Sequence, residues 1–263
     1  MFSLEHQNYL KKIRREKWFV LICQVAIIVI FLIVWQLLAD FELINTFIFS
    51  SPKDVLDTII NLHNTNNLYQ HIWITVYETI VSFTMGTLLG CVIATILWWN
   101  KILYRICDPY LTILNSLPKV ALGPIIIIWA GAGMKSIILM ALFISVIITI
   151  INVYQGFMEV DATKIKLMQS LGATKRQIYL KLMVPSSIGN FISALKINVS
   201  MSLIGVIMGE FLVSKEGIGY LIMYGSQVFN LDLVITGIFI LCIVATIMYY
   251  LVCYVEKKLI KYD

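Results

Sequence analysis

A chain of 263 residues in which 60% are apolar and only 13% charged, with a mean hydropathy of +0.88, lacks the polar side chains to cover its own outside. Water is thereby excluded as its main solvent, and an integral membrane protein is expected. The net charge of +5 could serve nucleic acid, but the basic residues lie in clusters between apolar runs rather than along one soluble face, which fits membrane orientation and excludes a nucleic-acid binder.

Residues 1–17 carry Lys11, Lys12, Arg14, Arg15 and Lys17 and read as a cytoplasmic N-terminus; residues 18–38 follow as a mostly apolar first span. A cleaved signal peptide would have a shorter apolar core and a small-x-small site after it. Ala39, Asp40, Phe41 and Glu42 offer none, so a retained helix is expected. Ser51 and Pro52 read as the N-cap and first residue of a short amphipathic helix through Val55, Leu56 and Ile59, with Asn61 to Asn67 as loop. His63 and His71 have no ligand partners at a matching spacing and are read as solvated or interfacial. The second span covers 72–99, with Gly86 and Gly90 forming a small-x-x-x-small face for close helix approach. A tight cytoplasmic turn with Asn100, Lys101, Arg105 and Asp108 leads to a third span, 109–130, made irregular by Pro118, Gly123 and Pro124. Such breaks survive in lipid only where protein or a water-filled cavity satisfies the freed carbonyls, so this span should face inward. The following GAGMKS misses the phosphate-loop pattern because Met134 separates Gly133 from Lys135, and any nucleotide hydrolysis falls to another chain.

Residues 136–154 make the fourth span, and 156–186 is the one long polar interruption. Its signals give two short helices with a hinge. Asp161 can cap the first, and Gly172 suits the left-handed residue that ends it. Thr174 and Gln177 form a capping box, the second helix runs through Leu182, and Pro185 should not continue it. Val160, Leu167, Met168 and Leu171 share one side of the first helix, with Lys164 and Lys166 elsewhere. Too short and charged to span, it should lie at the cytoplasmic face and present a surface to another molecule. The fifth span, 187–212, has Gly205 and Gly209 spaced for close packing. Gly217, Gly219 and Gly225 then mark a hairpin or short helix dipping at the outer surface, before the sixth span, 233–255, and a cytoplasmic C-terminus, 256–263, with Lys257, Lys258 and Lys261. The five cysteines have no CxxC or Cys/His ligand spacing and read as packing residues; no metal or cofactor is expected. Fifteen Lys and Arg fall on the side assigned to the cytoplasm and three outside (Lys53, Lys135, Lys215), which orients six spans with both termini inside.

Four ionisable residues fall within apolar spans: Glu78, Lys119, Lys196 and Glu210. Charge there is costly and needs a role or a partner. One reading has them line a permeation path or gate, with a Lys facing an anionic solute. The other has Glu78 or Glu210 pair with a Lys across helices. Trp98, Trp99, Trp129, Tyr249 and Tyr250 read as interface anchors.

The spacing from Gly172 to Pro185 resembles the signature of ATP-binding cassette (ABC) importer permeases: Glu-Ala-Ala, three residues, Gly, nine residues, then Ile-x-Leu-Pro. Gly172 and Pro185 fall on the fixed positions, Leu182 and Val184 take the Ile and Leu places, and Lys166, Leu167 and Met168 stand where Glu-Ala-Ala would be. LPKVALGPIIIIWAGAG (117–133), LGATKRQIYLKLMVP and GEFLVSKEGIGYL (209–221) are similar to the membrane subunits of the nitrate, sulfonate and taurine branch, over roughly residues 50–250. Many sulfonate and taurine permeases resemble Pro-Pro where this chain has Pro118-Lys119, a pair that looks more like relatives assigned to thiamine-pyrimidine or riboflavin precursors.

The resemblance implies an all-α polytopic membrane protein of six transmembrane helices with a cytoplasmic coupling helix between helices 4 and 5. It implies a transporter subunit of the cell membrane rather than an enzyme. Its partners would be separate cytoplasmic ATPase subunits, an extracytoplasmic solute-binding protein and a second permease chain, as a homodimer. Met168, Gln169, Ser170, Leu171, Gly172, Ala173 and Pro185 are the expected ATPase-coupling residues; Glu78, Pro118, Lys119, Lys196 and Glu210 are the candidates for the translocation path. A gradient-driven secondary transporter or channel is the rival reading. Against it, the chain has neither paired inverted halves nor a carboxylate series along its spans.

Overall fold

The computed structural model describes residues 4–65 and 67–259, so Lys261 and the end of the expected C-terminal segment lie outside the described residues. The described elements are all helical. In chain order they are α1 (Leu4–Asp40), α2 (Thr46–Phe49), α3 (Pro52–Asn64), α4 (Asn67–Trp99), α5 (Lys101–Ser116), a 3-10 turn (Lys119–Leu122), α6 (Gly123–Ala130), α7 (Met134–Met158) and α8 (Ala162–Ser170). There follow α9 (Lys175–Ile178), a π-helical turn (Tyr179–Met183), α10 (Val184–Ser186), α11 (Ile188–Val213), α12 (Ile218–Gln227) and α13 (Leu231–Leu259). Five helices, α1, α4, α7, α11 and α13, are long and apolar enough to cross a membrane; α5 and the Lys119–Ala130 segment, bent 94° apart, make a sixth if counted as one span.

The core is the triple contact of α4, α7 and α11. Without a hydrophobic difference between lipid and protein interior, membrane helices associate by close packing, and that needs small residues on the shared face. A Cβ on Gly86 would lie 1.8 Å from Ser145 Oγ, and one on Gly90 would lie 2.5 Å from Thr149 Cβ. On the adjoining part of α7, a Cβ on Gly205 would meet Ala141 Cα at 2.6 Å and one on Gly209 would meet Ile137 Cα at 3.0 Å. Both glycine pairs therefore set the distance of their helix to α7. Buried hydroxyls turn their bonds inward along the helix: Thr79 to the Thr75 carbonyl, Ser82 to that of Glu78 and Thr149 to that of Ser145. α1 touches this bundle only lightly, with Trp35 stacked on Phe239 at 5.9 Å, and most of its apolar residues from Trp18 to Leu37 face outward, as lipid solvent requires.

Three sequence-based boundaries are corrected. Asn61 to Asn64 is helix and not loop: α3 continues to Asn64, held at its start by Ser51 Oγ accepting from the Asp54 N–H. The expected turn at 100–108 is helical, because the Asn100 side chain accepts from the N–H groups of Ile102 and Leu103 and starts α5 at once. Pro109 then lies inside α5, and the break comes at Leu117, whose extended backbone (φ −64°, ψ 140°) is what a residue before proline prefers. Pro185 does not stop the chain's helical course either. The wider π turn before it loosens the backbone where the proline ring would otherwise meet the preceding carbonyls, and the helical path runs on through Val184 towards α11.

Candidate functional site

The polar loop between α7 and α11 forms a compact structure with one exposed end. Asp161 accepts from the Thr163 N–H at 2.8 Å and caps α8; that bond holds its carboxyl below the usual range. α8 ends in the Gly172 turn, where φ is +76° and nothing lies within 4 Å of the position a Cβ would occupy. Leu171 beside it is 78% exposed. Thr174 then caps α9, with the Gln177 side chain returning the bond, the expected capping box. One expectation fails: the apolar side of α8 is split. Val160, Ile165 and Met168 pack inward, whereas Leu167 and Leu171, a separate i, i+4 ridge, point out with Ser170 and Gln169 also exposed.

The return limb of this loop is built into the bundle. Tyr179 sits among Trp98 (centroid distance 5.2 Å), Trp99 (5.7 Å) and Phe157 (5.8 Å), and its hydroxyl is 2.8 Å from Thr95 Oγ1. Lys175 lies over the Trp98 and Trp99 rings and donates to the Trp99 carbonyl at 2.5 Å. At the base of the loop, Ser187 donates to the Gly156 carbonyl at 3.1 Å and Asn190 to the Glu159 carboxylate at 2.5 Å. Both limbs are thus pinned to each other and to α4. Trp98, expected as an interface anchor, is part of this half-buried aromatic cluster.

The four charged path candidates divide. Lys119, in the bend between α5 and α6, donates to the Asn115 carbonyl at 2.7 Å next to exposed Pro118. Lys196 forms a 2.7 Å ion pair with Glu256 towards the end of α13, at the end of the bundle that carries α8. The expected Glu–Lys pairing of Glu78 or Glu210 is not what is found. Each is 1% exposed, and their carboxyl groups meet one another at the opposite end of the bundle. There Glu210 accepts from Thr75 Oγ1 at 2.6 Å and from the Gly219 N–H at 2.5 Å. His71, read as solvated or interfacial, is half-buried and accepts through Nδ1 from the Gly217 N–H at 2.9 Å. The signal that could have found this group is a polar stripe on an apolar helix: His71, Thr75, Glu78, Thr79 and Ser82 recur at intervals that return to one helical face.

The family described as binding-protein-dependent transport system inner membrane component matches residues 86–261. The chain belongs to this family. Among relatives, a probable ABC transporter permease protein of Haemophilus influenzae is 27% identical over 224 residues, covering 85% of this chain and 91% of its own length. The putative aliphatic sulfonates transport permease protein SsuC of Bacillus subtilis is 25% identical, covering 87% of this chain and 83% of its own. The formylaminopyrimidine transport permease protein ThiX of Halalkalibacterium halodurans is 26% identical, covering 72% and 75%. The inward-facing MetNI methionine ABC transporter shares the fold at a TM-score of 0.66 with 19% identity, covering 73% of this chain and 95% of that one. The protein is therefore a multi-pass membrane permease subunit of an ABC importer for a small solute, related to the sulfonate and taurine branch, and a transporter component rather than an enzyme.

Proposed function

We propose that the exposed end of α8 is the coupling helix of this permease: Leu171, Gly172 and Ala173, approached through Met168, Gln169 and Ser170, dock in a groove of a cytoplasmic ATPase subunit. The observation that carries the reading is the contrast within one loop. Its tip offers a 78%-exposed leucine beside an open glycine turn, while its return limb is locked by Tyr179 and Lys175 into α4 and α7. A push on the tip would reach the core through these contacts and through the near-continuous helical path across Pro185 into α11. For nucleotide to drive transport, it must favour one arrangement of this linkage over the other; docking that was equal in both states would transmit nothing.

In this reading two copies of the permease enclose the path, and the bend at Pro118 and Lys119 faces it, with Lys119 supplying positive charge towards a small anionic or vitamin-precursor solute. Both termini are cytoplasmic, and a solute-binding protein delivers from outside. The relatives' names supply the solute classes: aliphatic sulfonates, taurine and formylaminopyrimidine. Purifying the tagged permease from its own membrane tests the assembly. An ATPase subunit should be retained and should be stimulated by the loaded binding protein, and mass spectrometry of the small molecule on that protein identifies the solute. Ion-gradient-driven uptake by the permease chain alone in liposomes would overturn the reading.

A further inference from the structure

The first turn of any α-helix leaves four backbone N–H groups without partners inside the helix. In α12 these are met by side chains from other helices. Gly217 N–H goes to His71 Nδ1, Ile218 N–H to Thr75 Oγ1 at 2.8 Å and Gly219 N–H to Glu210 Oε2, and the Tyr220 N–H also faces the Glu210 carboxyl. A carboxylate on a helix N-terminus is stabilised by these donors and by the helix dipole, which accounts for a buried acid with no basic side chain against it among the described residues.

The donor count around the two acids is unequal. Thr75 Oγ1 takes the Ile218 N–H on one lone pair and directs its own hydrogen to Glu210 Oε1, so both Glu210 oxygens are acceptors. Glu78 Oε2 is buried with no donor directed at it. As a second carboxylate it would be an unpaired charge facing a like charge; as an O–H it has an acceptor in contact, the Glu210 carboxylate. We propose that Glu78 and Glu210 form a one-proton site in which Glu78 is the acid and hydrogen-bond donor and Glu210 the carboxylate acceptor, and that this pair clamps α12 onto α4 and α11. Space enforces the clamp: a Cβ on Gly217 would lie 2.4 Å from the Glu210 carboxyl carbon, and one on Gly219 2.8 Å from Glu210 Oε2. The inference is independent of where the ATPase docks.

The assignment is directional and so can be tested by amides. In Glu78→Gln the amide N–H₂ still donates to Glu210, and hydrogen exchange at Gly219 and Tyr220 should stay within about 2-fold of the parent. In Glu210→Gln one acceptor oxygen becomes a donor facing existing donors, and the same amides should exchange at least about 10-fold faster. Infrared spectra of the parent in nanodiscs, with and without ¹³C-glutamate, should show a protonated glutamic C=O stretch that Glu78→Gln removes; this measurement needs no Glu210 variant to fold. Absence of that band overturns the proposal, as does tolerance of Glu210→Gln with loss in Glu78→Gln. Equal loss in both variants, or protection that depends on added sodium or calcium, also overturns it by pointing to two carboxylates around a cation.

Discussion

The two ends of the bundle treat helix termini in opposite ways. At one end, α12 begins inside the protein, and the N–H groups of its first turn are taken by His71, Thr75 and Glu210. At the other, α8 ends in open space at Gly172, and a cavity of about 480 Å³ bordered by Trp98, Tyr154, Phe157, Ile165 and Gln169 lies beneath it. At the first end the helix terminus is satisfied within the chain. The second has the exposed apolar ridge and the room that a surface awaiting a partner would have.

The contrast is sharpest for two glycines that both have positive φ. Gly217→Ala puts a methyl into the Glu210 carboxyl at φ +107°, so backbone strain and overlap act together. A loss of about 3 kcal/mol is expected, read as a lower midpoint of thermal denaturation in detergent and faster proteolysis at the α11–α12 connection. Gly172→Ala meets no atoms, and only the strain of a left-handed alanine at φ +76° remains, about 1 kcal/mol. If the two substitutions cost the same, the distinction between a filled and an open end fails.

A bulky β-branched residue separates stability from function at the same tip. Gly172→Val should leave membrane insertion intact and lower the denaturation midpoint by no more than the strain of its left-handed turn. It should cut solute-dependent stimulation of ATPase activity at least about 10-fold, because a strained turn of about 1–2 kcal/mol changes shape instead of docking. Stimulation equal to the parent's would remove Gly172 from the coupling surface.

The smallest effect concerns the start of α8. The folded Asp161 carboxyl is held below its ordinary range by the Thr163 N–H, so the cap contributes while the group is ionised and is lost as pH falls through its folded titration. Amide protection in the first turn of α8 should therefore decline on acidification, and in Asp161→Asn, which still accepts the bond, the decline should disappear.

How much was readable in advance follows the range of the interactions. The Asp161 cap, the Gly172 turn and the Thr174–Gln177 box are local, encoded within a few residues, and the sequence places them at their observed positions. The glycine pairs of α4 and α11 were visible as faces, and α7 proves to be what they pack against. Pro185 was misread because a proline rule stated for α-helices does not cover a π turn. The α12 clamp was missed because His71 and Thr75 on α4 lie more than a hundred residues from Glu210 and the start of α12, and a single chain pattern carries no such distance. Lys196 looked like a mid-depth charge because its partner, Glu256, lies on the last helix, beyond the expected end of the final span.

The most direct test places a photoreactive cross-linking residue at position 171 in the assembled importer and maps its products by mass spectrometry. The account predicts a cross-link to the ATPase subunit whose yield changes between nucleotide-free and ATP-bound states. Products confined to lipid, water or the permease itself in both states would contradict it.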